Sequence, residues 1–193
     1  MRKTIWLATA MLAMFATVGF AAVKPGDQAP NFSLQDQNGK SVQLSDLSGK
    51  VVVLEWTNPN CPFVQRHYEQ KTMTTLADKY KDQGVVWVAI NSTRGSSADQ
   101  DKQWANQNSI NFPIATDKNA EVAKEYGAKT TPHMFVIDKT GKVVYDGAID
   151  NDREGNKSDK VNYVQQALDE LLAGKTVGVP ETQPYGCGVK YGK

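Results

Sequence analysis

The alternation of hydrophobic and polar positions divides the first half of the chain into clear elements. Two short alternating segments flank Asn38-Gly39 and predict a β-hairpin over residues 31–44. The β-branched run at 51–56 predicts a strand buried on both faces, and 85–90 predicts a second. Helical spacing of apolar residues predicts one helix from 62 to about 80. Together the two strands and the helix predict a right-handed βαβ unit.

The second half alternates between helical and strand patterns. Antiparallel strands around the turn 138–141 would close one edge of the sheet. The whole order predicts an α/β fold in which helices cover both faces of a mixed sheet. The predicted elements are a polar helix at 97–107, a strand at 112–115, a helix at 119–126, strands at 133–137 and 142–145, and a last helix at 158–173.

Composition supports one folded domain and no polyanionic partner. The chain has 193 residues, and its 22 Lys and Arg nearly balance 21 Asp and Glu. Such balance gives no strong field towards nucleic acid, so none is expected as a partner. We predict a domain over 22–174, followed by a structureless tail at 175–193 that carries Cys187.

The N-terminal pattern indicates export. Two basic residues precede an apolar run from Ile5 to about Phe20, and small residues follow it. This order is typical of a secretory signal, predicted here over 1–21, although an uncleaved anchor is the alternative. The protein would be periplasmic in a Gram-negative organism and secreted otherwise, in a compartment where a disulfide can persist.

Cys61 is the leading candidate for a reactive group. It follows a predicted parallel strand, at the sheet edge where α/β proteins place ligand sites. Asn58 lies in the connecting loop, and Pro62 suits the first position of the following helix. A helix N-terminus favours thiolate over thiol, and the thiolate is the nucleophile. The alternative is an inert, buried cysteine.

Thr131-Pro132 supplies the second signal. Proline has no N–H to donate to a neighbouring strand. Its position just before a predicted strand therefore suggests a special peptide bond, with cis as the candidate geometry. His133 would then lie beside Cys61, where an imidazolium would favour thiolate. A polar surface role is nevertheless the preferred interpretation of both His133 and His67. Trp56 could shield the site or pack in the core.

These residues resemble the redoxin branch of the thioredoxin superfamily, which includes the alkyl hydroperoxide reductase/thiol-specific antioxidant proteins. The similarity is carried by the hairpin, the strand ending at Trp56 before a cysteine, and Thr131-Pro132 followed by a strand and turn. Exported peroxiredoxin-like proteins also share Asn58–Val64 and Gly186–Tyr191. The resemblance implies a thioredoxin-like three-layer sandwich and a thiol oxidoreductase with antioxidant-type activity.

Two departures from the family pattern shape the predicted mechanism. Val64 stands where thioredoxins carry the second cysteine of Cys-x-x-Cys, so the resolving thiol must be Cys187, a partner protein or a small thiol. Cys187 could instead form a permanent staple with Cys61, or no link. Peroxiredoxins place proline and threonine where this chain has Leu54 and Asn58, and Pro132 stands where their arginine would align.

The sequence therefore predicts that the Cys61 thiolate attacks a hydroperoxide or a protein disulfide, and that a second thiol regenerates it. An external thiol or a thioredoxin-type reductant would supply electrons, and no cofactor is expected. One alternative is a copper or soft-metal site using Cys61, His133 and Met134, with His67 as a further candidate ligand; another is a non-catalytic scaffold. The predicted catalytic residues are Cys61, Cys187, Thr131 and Pro132, supported by Trp56, Asn58, Pro62 and His133, with no metal site.

Overall fold

A computed structural model describes residues 22–191 as a mixed sheet with helices on both faces. Seven strands lie in the order β2-β1-β5-β4-β3-β7-β8, and β6 and β9 form a separate pair. The strands are β1 (Ser33–Asp36), β2 (Ser41–Gln43), β3 (Val51–Thr57), β4 (Val85–Asn91), β5 (Ile114–Thr116), β6 (Thr130–Thr131), β7 (His133–Ile137), β8 (Val143–Gly147) and β9 (Cys187–Gly188). The helices are α1 (Pro62–Glu69), α2 (Thr72–Lys81), α3 (Ala98–Gln107), α4 (Glu121–Tyr126) and α5 (Tyr163–Leu172).

Strand β3 is the centre of the sheet because every one of its residues is buried. It pairs in parallel with β4 and antiparallel with β7. Successive side chains point to opposite faces, so Val53 joins the cluster packed by α1, α2, α3 and α5, whereas Leu54 joins the cluster packed by α4. This arrangement confirms the predicted three-layer α/β sandwich.

The N-terminal hairpin is also confirmed. Leu34 pairs with Val42 in β1 and β2, and Gly39 in the turn adopts a φ of +76°. The hairpin joins the main sheet because β1 also pairs antiparallel with β5. The Asn-Gly turn signal was therefore sufficient to predict this part of the fold.

The helix predicted over 62–80 is broken in the structure. Helix α1 ends at Glu69, and α2 begins at Thr72 after Lys71 takes a left-handed φ of 56°. No glycine or proline marks this break, and apolar residues continue at helical spacing through it. The prediction of one continuous helix was wrong because local pattern alone does not report the change in direction.

The last helix begins later than predicted. Helix α5 starts at Tyr163, where the side chain of Asn162 accepts a hydrogen bond from the backbone N–H of Gln165 at 2.8 Å. Val161, predicted to lie on the buried stripe, precedes the helix and is 41% exposed. The prediction of a start at Ser158 was wrong because the cap is Asn162.

The segment after α5 is ordered against the domain rather than structureless. Val177 and Tyr185 are buried, and β9 pairs with β6. The hydroxyl of Thr182 accepts a hydrogen bond from Ala148 N at 2.9 Å. The segment shows no periodicity in sequence because long-range contacts hold it, and its strand β9 is only two residues long.

The signal predicted over 1–21 lies outside the described residues. None of the helices between residues 22 and 191 is both long and apolar enough to span a lipid bilayer.

Candidate active site

A short turn after β3 places Cys61 at the first turn of α1. The N–H of Cys61 donates to the carbonyl of Asn58 at 2.9 Å, and the Asn58 side-chain oxygen accepts from Asn60 N at 2.9 Å. Cys61 caps α1, and Pro62 is the first helical residue, where a missing N–H costs nothing. Asn58 and Pro62 therefore fix the position of the thiol without contacting its sulfur.

The sulfur of Cys61 contacts the cis-proline segment. Cys61 is 1% exposed, and its thiol donates to the carbonyl of Thr131 at 3.0 Å. The Thr131-Pro132 peptide bond is cis, as the sequence predicted. Proline interrupts the ladder here, so β6 ends at Thr131 and β7 begins at His133.

Strand β9 brings Cys187 to the same place. Thr131 pairs with Cys187 and Thr130 pairs with Gly188, while Val189 N donates to Lys129 O at 3.0 Å. Thr131 therefore contacts both cysteines, one through its carbonyl and the other through strand pairing. The two free thiols meet although most of the sequence separates them.

Gly186 allows this close approach. Its φ is +138°, and a Cβ placed there would lie 2.0 Å from the carbonyl oxygen of Thr131. Any side chain at residue 186 would therefore collide with the same oxygen that accepts the Cys61 hydrogen bond. A Cβ on Gly188, on the other side of Cys187, would meet nothing within 4 Å.

The two thiols are electrostatically unequal. Burial raises the pKa of Cys61, but hydrogen bonds from the side chains of Cys187 and Thr131 and from the backbone N–H groups of Val64 and Cys187 outweigh it, so the pKa lies below the ordinary value of 9.0. Val64 belongs to the first turn of α1, where N–H groups are free to stabilise an anion. Burial, followed by hydrogen bonding and repulsion from Cys61, raises the pKa of Cys187 to about 11. Cys61 is therefore the thiol that ionises first.

A buried polar cluster anchors the chain just before Cys187. The hydroxyl of Tyr185 donates to Asp150 and lies 3.0 Å from His67 Nε2, while Lys160 Nζ lies 2.9 Å from Asp150 Oδ2. Burial lowers the pKa of His67 to about 4, so the ring is neutral at pH 7. On the other side of Cys187, the hydroxyl of Tyr191 donates to the Ala128 carbonyl.

The structure corrects the surface role preferred for both histidines, because His67 is 0% exposed and His133 is 1% exposed. The Nδ1 atom of His133 accepts from Lys129 N at 3.0 Å, which leaves Nε2 as the protonated atom facing Asp146 Oδ1 at 2.6 Å. With both nitrogens occupied, His133 offers no imidazolium contact to Cys61. His133 therefore helps to position Lys129, whose carbonyl accepts the hydrogen bond from Val189 N.

Trp56 packs in the core on the face of the sheet opposite Cys61. Its ring lies 5.1 Å from Tyr126 and 5.3 Å from Phe135, between centroids, and its Nε1 donates to Ser92 Oγ at 3.2 Å. The contacts support the core-packing interpretation and not that of a shield over the thiol.

Sequence reasoning missed Glu55, a fully buried carboxyl group beneath the site. Tyr68 donates to both of its oxygens, at 3.0 and 3.1 Å, and Trp87 Nε1 donates at 3.0 Å. Burial raises the pKa of Glu55 to about 7, against the opposing effect of these hydrogen bonds. The available signal was a carboxylate within a β-branched strand predicted to be buried on both faces.

A metal centre receives no support from the described part of the chain. Between residues 22 and 191, no group of three or more His, Cys, Asp or Glu side chains is arranged to hold an ion. The two nitrogens of His133 form hydrogen bonds with Lys129 and Asp146, and Nε2 of His67 forms one with Tyr185. Both nitrogens of His133 and one nitrogen of His67 therefore have protein partners.

Comparison with known proteins agrees with this geometry. The profile of the AhpC/TSA family matches residues 25–146. The chain is 38% identical to thiol-disulfide oxidoreductase ResA of Bacillus thuringiensis strain Al Hakam over 62% of this chain and 66% of that protein, slightly less than two thirds of its length. It is 30% identical to the protein of the same name from Halalkalibacterium halodurans, over 74% of this chain and 85% of that protein.

A solved structure is similar over nearly the full length. The crystal structure of a hypothetical protein from Sinorhizobium meliloti 1021 covers 89% of this chain and 97% of its own, with a TM-score of 0.81 and 29% identity. The fold and these similarities define a thioredoxin-like redoxin. The chain belongs to the AhpC/TSA family, and the predicted class, a thiol oxidoreductase, agrees with the names of its relatives.

Proposed function

We propose that the protein is a thiol-disulfide oxidoreductase in which Cys61 is the nucleophile and Cys187 is the resolving thiol. The pairing of β6 with β9 carries this proposal, because it sets Cys187 opposite Thr131, whose carbonyl lies 3.0 Å from the Cys61 sulfur. The names of the relatives support disulfide exchange as the reaction. Family membership alone does not identify the second thiol, which is absent from the Cys61-Pro62-Phe63-Val64 motif.

In the reaction, the Cys61 thiolate attacks one sulfur of a substrate disulfide and releases the other as a thiolate. Cys187 then gives up its proton and attacks the mixed disulfide on Cys61, which releases the substrate's second thiol. The substrate is reduced by two electrons, and the protein is left with a Cys61–Cys187 disulfide. Thr131 and cis-Pro132 hold both sulfurs at the site, while Asn58 and Pro62 set the start of α1.

A hydroperoxide is the second candidate substrate, and the burial of Cys61 favours it. Because only 1% of its surface is exposed, Cys61 is more accessible to a small oxidant than to a protein substrate. A protein substrate could reach the sulfur only if β9 moved aside. The thiolate would attack the terminal peroxide oxygen, breaking the O–O bond and releasing an alcohol or water, and the Cys187 thiol would condense with the resulting sulfenic acid to give the disulfide and a water molecule. Two arginines that could have bound the peroxide are engaged elsewhere: Arg66 donates to backbone carbonyls, and Arg153 pairs with Glu154.

The site of action proposed here is extracytoplasmic, in the periplasm or outside the cell, where a thioredoxin-type reductant or a small thiol would regenerate the dithiol. The support is the secretory pattern at 1–21.

Intact mass measured over time after mixing the reduced protein with an equimolar model disulfide tests the cycle. We expect loss of two hydrogens in the wild type, a stable mixed disulfide on Cys61 in Cys187→Ser, and no adduct in Cys61→Ser. A parallel reaction with hydrogen peroxide separates the two substrates. Oxidation by both reagents no faster than that of an unstructured cysteine peptide would rule out the proposed enzyme.

A further inference from the structure

A cleft of about 550 Å³ lies beside the two cysteines. Cys187 and Thr131 form one part of its wall, and the loop after β4 forms another. Cys61 does not line it and is 1% exposed, whereas Cys187 is partly exposed. Of the two sulfurs in the proposed cycle, only that of Cys187 belongs to a cleft-lining residue.

Both charged residues that line the cleft are positive. Arg94 and Lys190 both line it and are exposed. Within residues 22–191, neither forms an ion pair or a side-chain hydrogen bond, and no carboxylate shares the wall with them. A concave surface of one charge sign raises the local concentration of oppositely charged small molecules. The volume is in the range that encloses small ligands.

We propose that this cleft binds a small anionic thiol, which reduces the oxidised protein by attacking Cys187 rather than Cys61. The inference rests on the proposed function, because it requires the Cys61–Cys187 disulfide. The anion of the reductant would pair with Arg94 and Lys190, and its sulfur would lie towards Cys187. The cleft therefore defines both the chemical class of the reductant and the sulfur at which it enters.

The reduction proceeds in two balanced steps. The reductant thiolate attacks Cys187 Sγ, the protein disulfide breaks, and the electron pair leaves on Cys61 as a thiolate. A second reductant thiolate then attacks the reductant sulfur of the mixed disulfide on Cys187. This step releases the oxidised reductant as a small disulfide, and Cys187 takes up a proton. Two reductant thiols thereby replace one protein disulfide with two protein thiols.

The chemistry of the leaving group favours the same direction as access. In thiol-disulfide exchange, the thiol with the lower pKa leaves faster. Despite burial, hydrogen bonds from Cys187, from the Thr131 side chain and from the N–H of Val64 in the first turn of α1 hold the pKa of Cys61 below its usual value, whereas burial and the contact with Cys61 raise that of Cys187 to about 11. Attack at Cys187 expels the better leaving group, and attack at Cys61 would expel the poorer one.

The test measures how fast the oxidised full chain is reduced by mercaptopropionate, mercaptoethanol and cysteamine, as anionic, neutral and cationic probes. Rates are expressed per thiolate, which removes the difference in probe ionisation. We expect mercaptopropionate to react roughly tenfold faster than cysteamine at low salt, and the preference to fall as salt increases. The Arg94→Gln/Lys190→Gln variant should lose the preference. The matched variant Lys40→Gln/Lys124→Gln, which removes two exposed cations away from the cleft wall, should keep it.

Rapid alkylation of the partly reduced protein, followed by peptide mass analysis, identifies the sulfur attacked. We expect the probe on Cys187 and the alkyl group on Cys61. A probe attached to Cys61, or equal rates for the three probes, would overturn this inference while leaving the disulfide cycle intact. If oxidation never forms the Cys61–Cys187 disulfide, the proposed function fails, and this inference fails with it.

Discussion

The unit formed by β3 and α1 and the segment around Cys187 each supply one thiol, but they are held in place by different kinds of interaction. Cys61 is positioned by its neighbours in sequence: a buried strand, a turn closed by Asn58, and a helix that starts with Pro62. Cys187 is positioned by contacts of its segment with residues distant in sequence: Cys187 pairs with Thr131, and its neighbours Tyr185 and Val189 donate hydrogen bonds to Asp150 and Lys129. Local structure thus positions the Cys61 thiol, whereas tertiary contacts position the Cys187 thiol.

The largest expected effect separates the chemical roles of the two thiols. Cys61→Ser should lower the rate of substrate reduction on the order of a thousandfold or more, because the nucleophile is lost. Cys187→Ser should retain the first attack and stop at the mixed disulfide. Stopped-flow measurement of product thiol release gives both rates. If Cys61→Ser retained the first attack and Cys187→Ser lost it, the assignment of the two roles would be reversed.

The buried Glu55 gives the β3–α1 unit a stability that declines at high pH. Its pKa of about 7 lies above the ordinary 4.5, so its stabilising contribution is complete below pH 4.5 and is lost as the pH rises through 7. The shift corresponds to roughly 3 kcal/mol of unfolding free energy. Denaturant titration between pH 4.5 and 8.5 should show this decline in the wild type but not in Glu55→Gln. Parallel curves for the two proteins would contradict the assignment.

His67 gives the anchor of Cys187 the opposite pH dependence. Its pKa of about 4 lies below the ordinary 6.5, so its neutral form contributes fully above pH 6.5 and the contribution is lost as the pH falls towards 4. The expected loss is also roughly 3 kcal/mol. His67→Gln removes the titrating group and should show a smaller loss over the same range in denaturant titrations. An unchanged acid dependence in this variant would assign the effect to other groups.

Gly186→Ala should weaken the placement of Cys187 without altering either thiol. The added Cβ collides with the Thr131 carbonyl, so β9 must move away from β6. We expect formation of the Cys61–Cys187 disulfide to slow by roughly tenfold or more, since the effective concentration of Cys187 falls. Gly188→Ala is the matched control, because its Cβ meets no atom. Equal rates for the two variants would mean that β9 does not position the second thiol.

The smallest effect concerns the ionisation of the two thiols. Ultraviolet titration of the reduced protein should show one thiolate forming below pH 9 and a second near pH 11. In Cys61→Ser, loss of repulsion from the Cys61 thiolate should lower the pKa of Cys187. A single transition near 9 accounting for both thiols would show that the two groups are not coupled.

The sequence was informative where structure is local. The run at 51–56, the Asn38-Gly39 turn and the position of Pro132 predicted β3, the hairpin and the cis bond, because each depends on a few adjacent residues. The break at Lys71 was not predicted because no glycine or proline marks it, and the order after α5 was not predicted because its partners are distant in sequence. The burial of His67 and His133 was missed for the same reason: their partners, Tyr185 and Asp146, are known only from the fold.

The separation of Cys61 and Cys187 along the chain has a consequence for biosynthesis. As the polypeptide is made from its N-terminus, β3, α1 and β4 emerge well before β9, so Cys61 is present without its partner while most of the intervening chain is synthesised. During that interval Cys187 does not lie against the Cys61 thiol. A protein that carries a disulfide can therefore exchange with Cys61 of the emerging chain, forming a mixed disulfide and releasing its own second sulfur as a thiol, and docking of β9 ends that period of susceptibility.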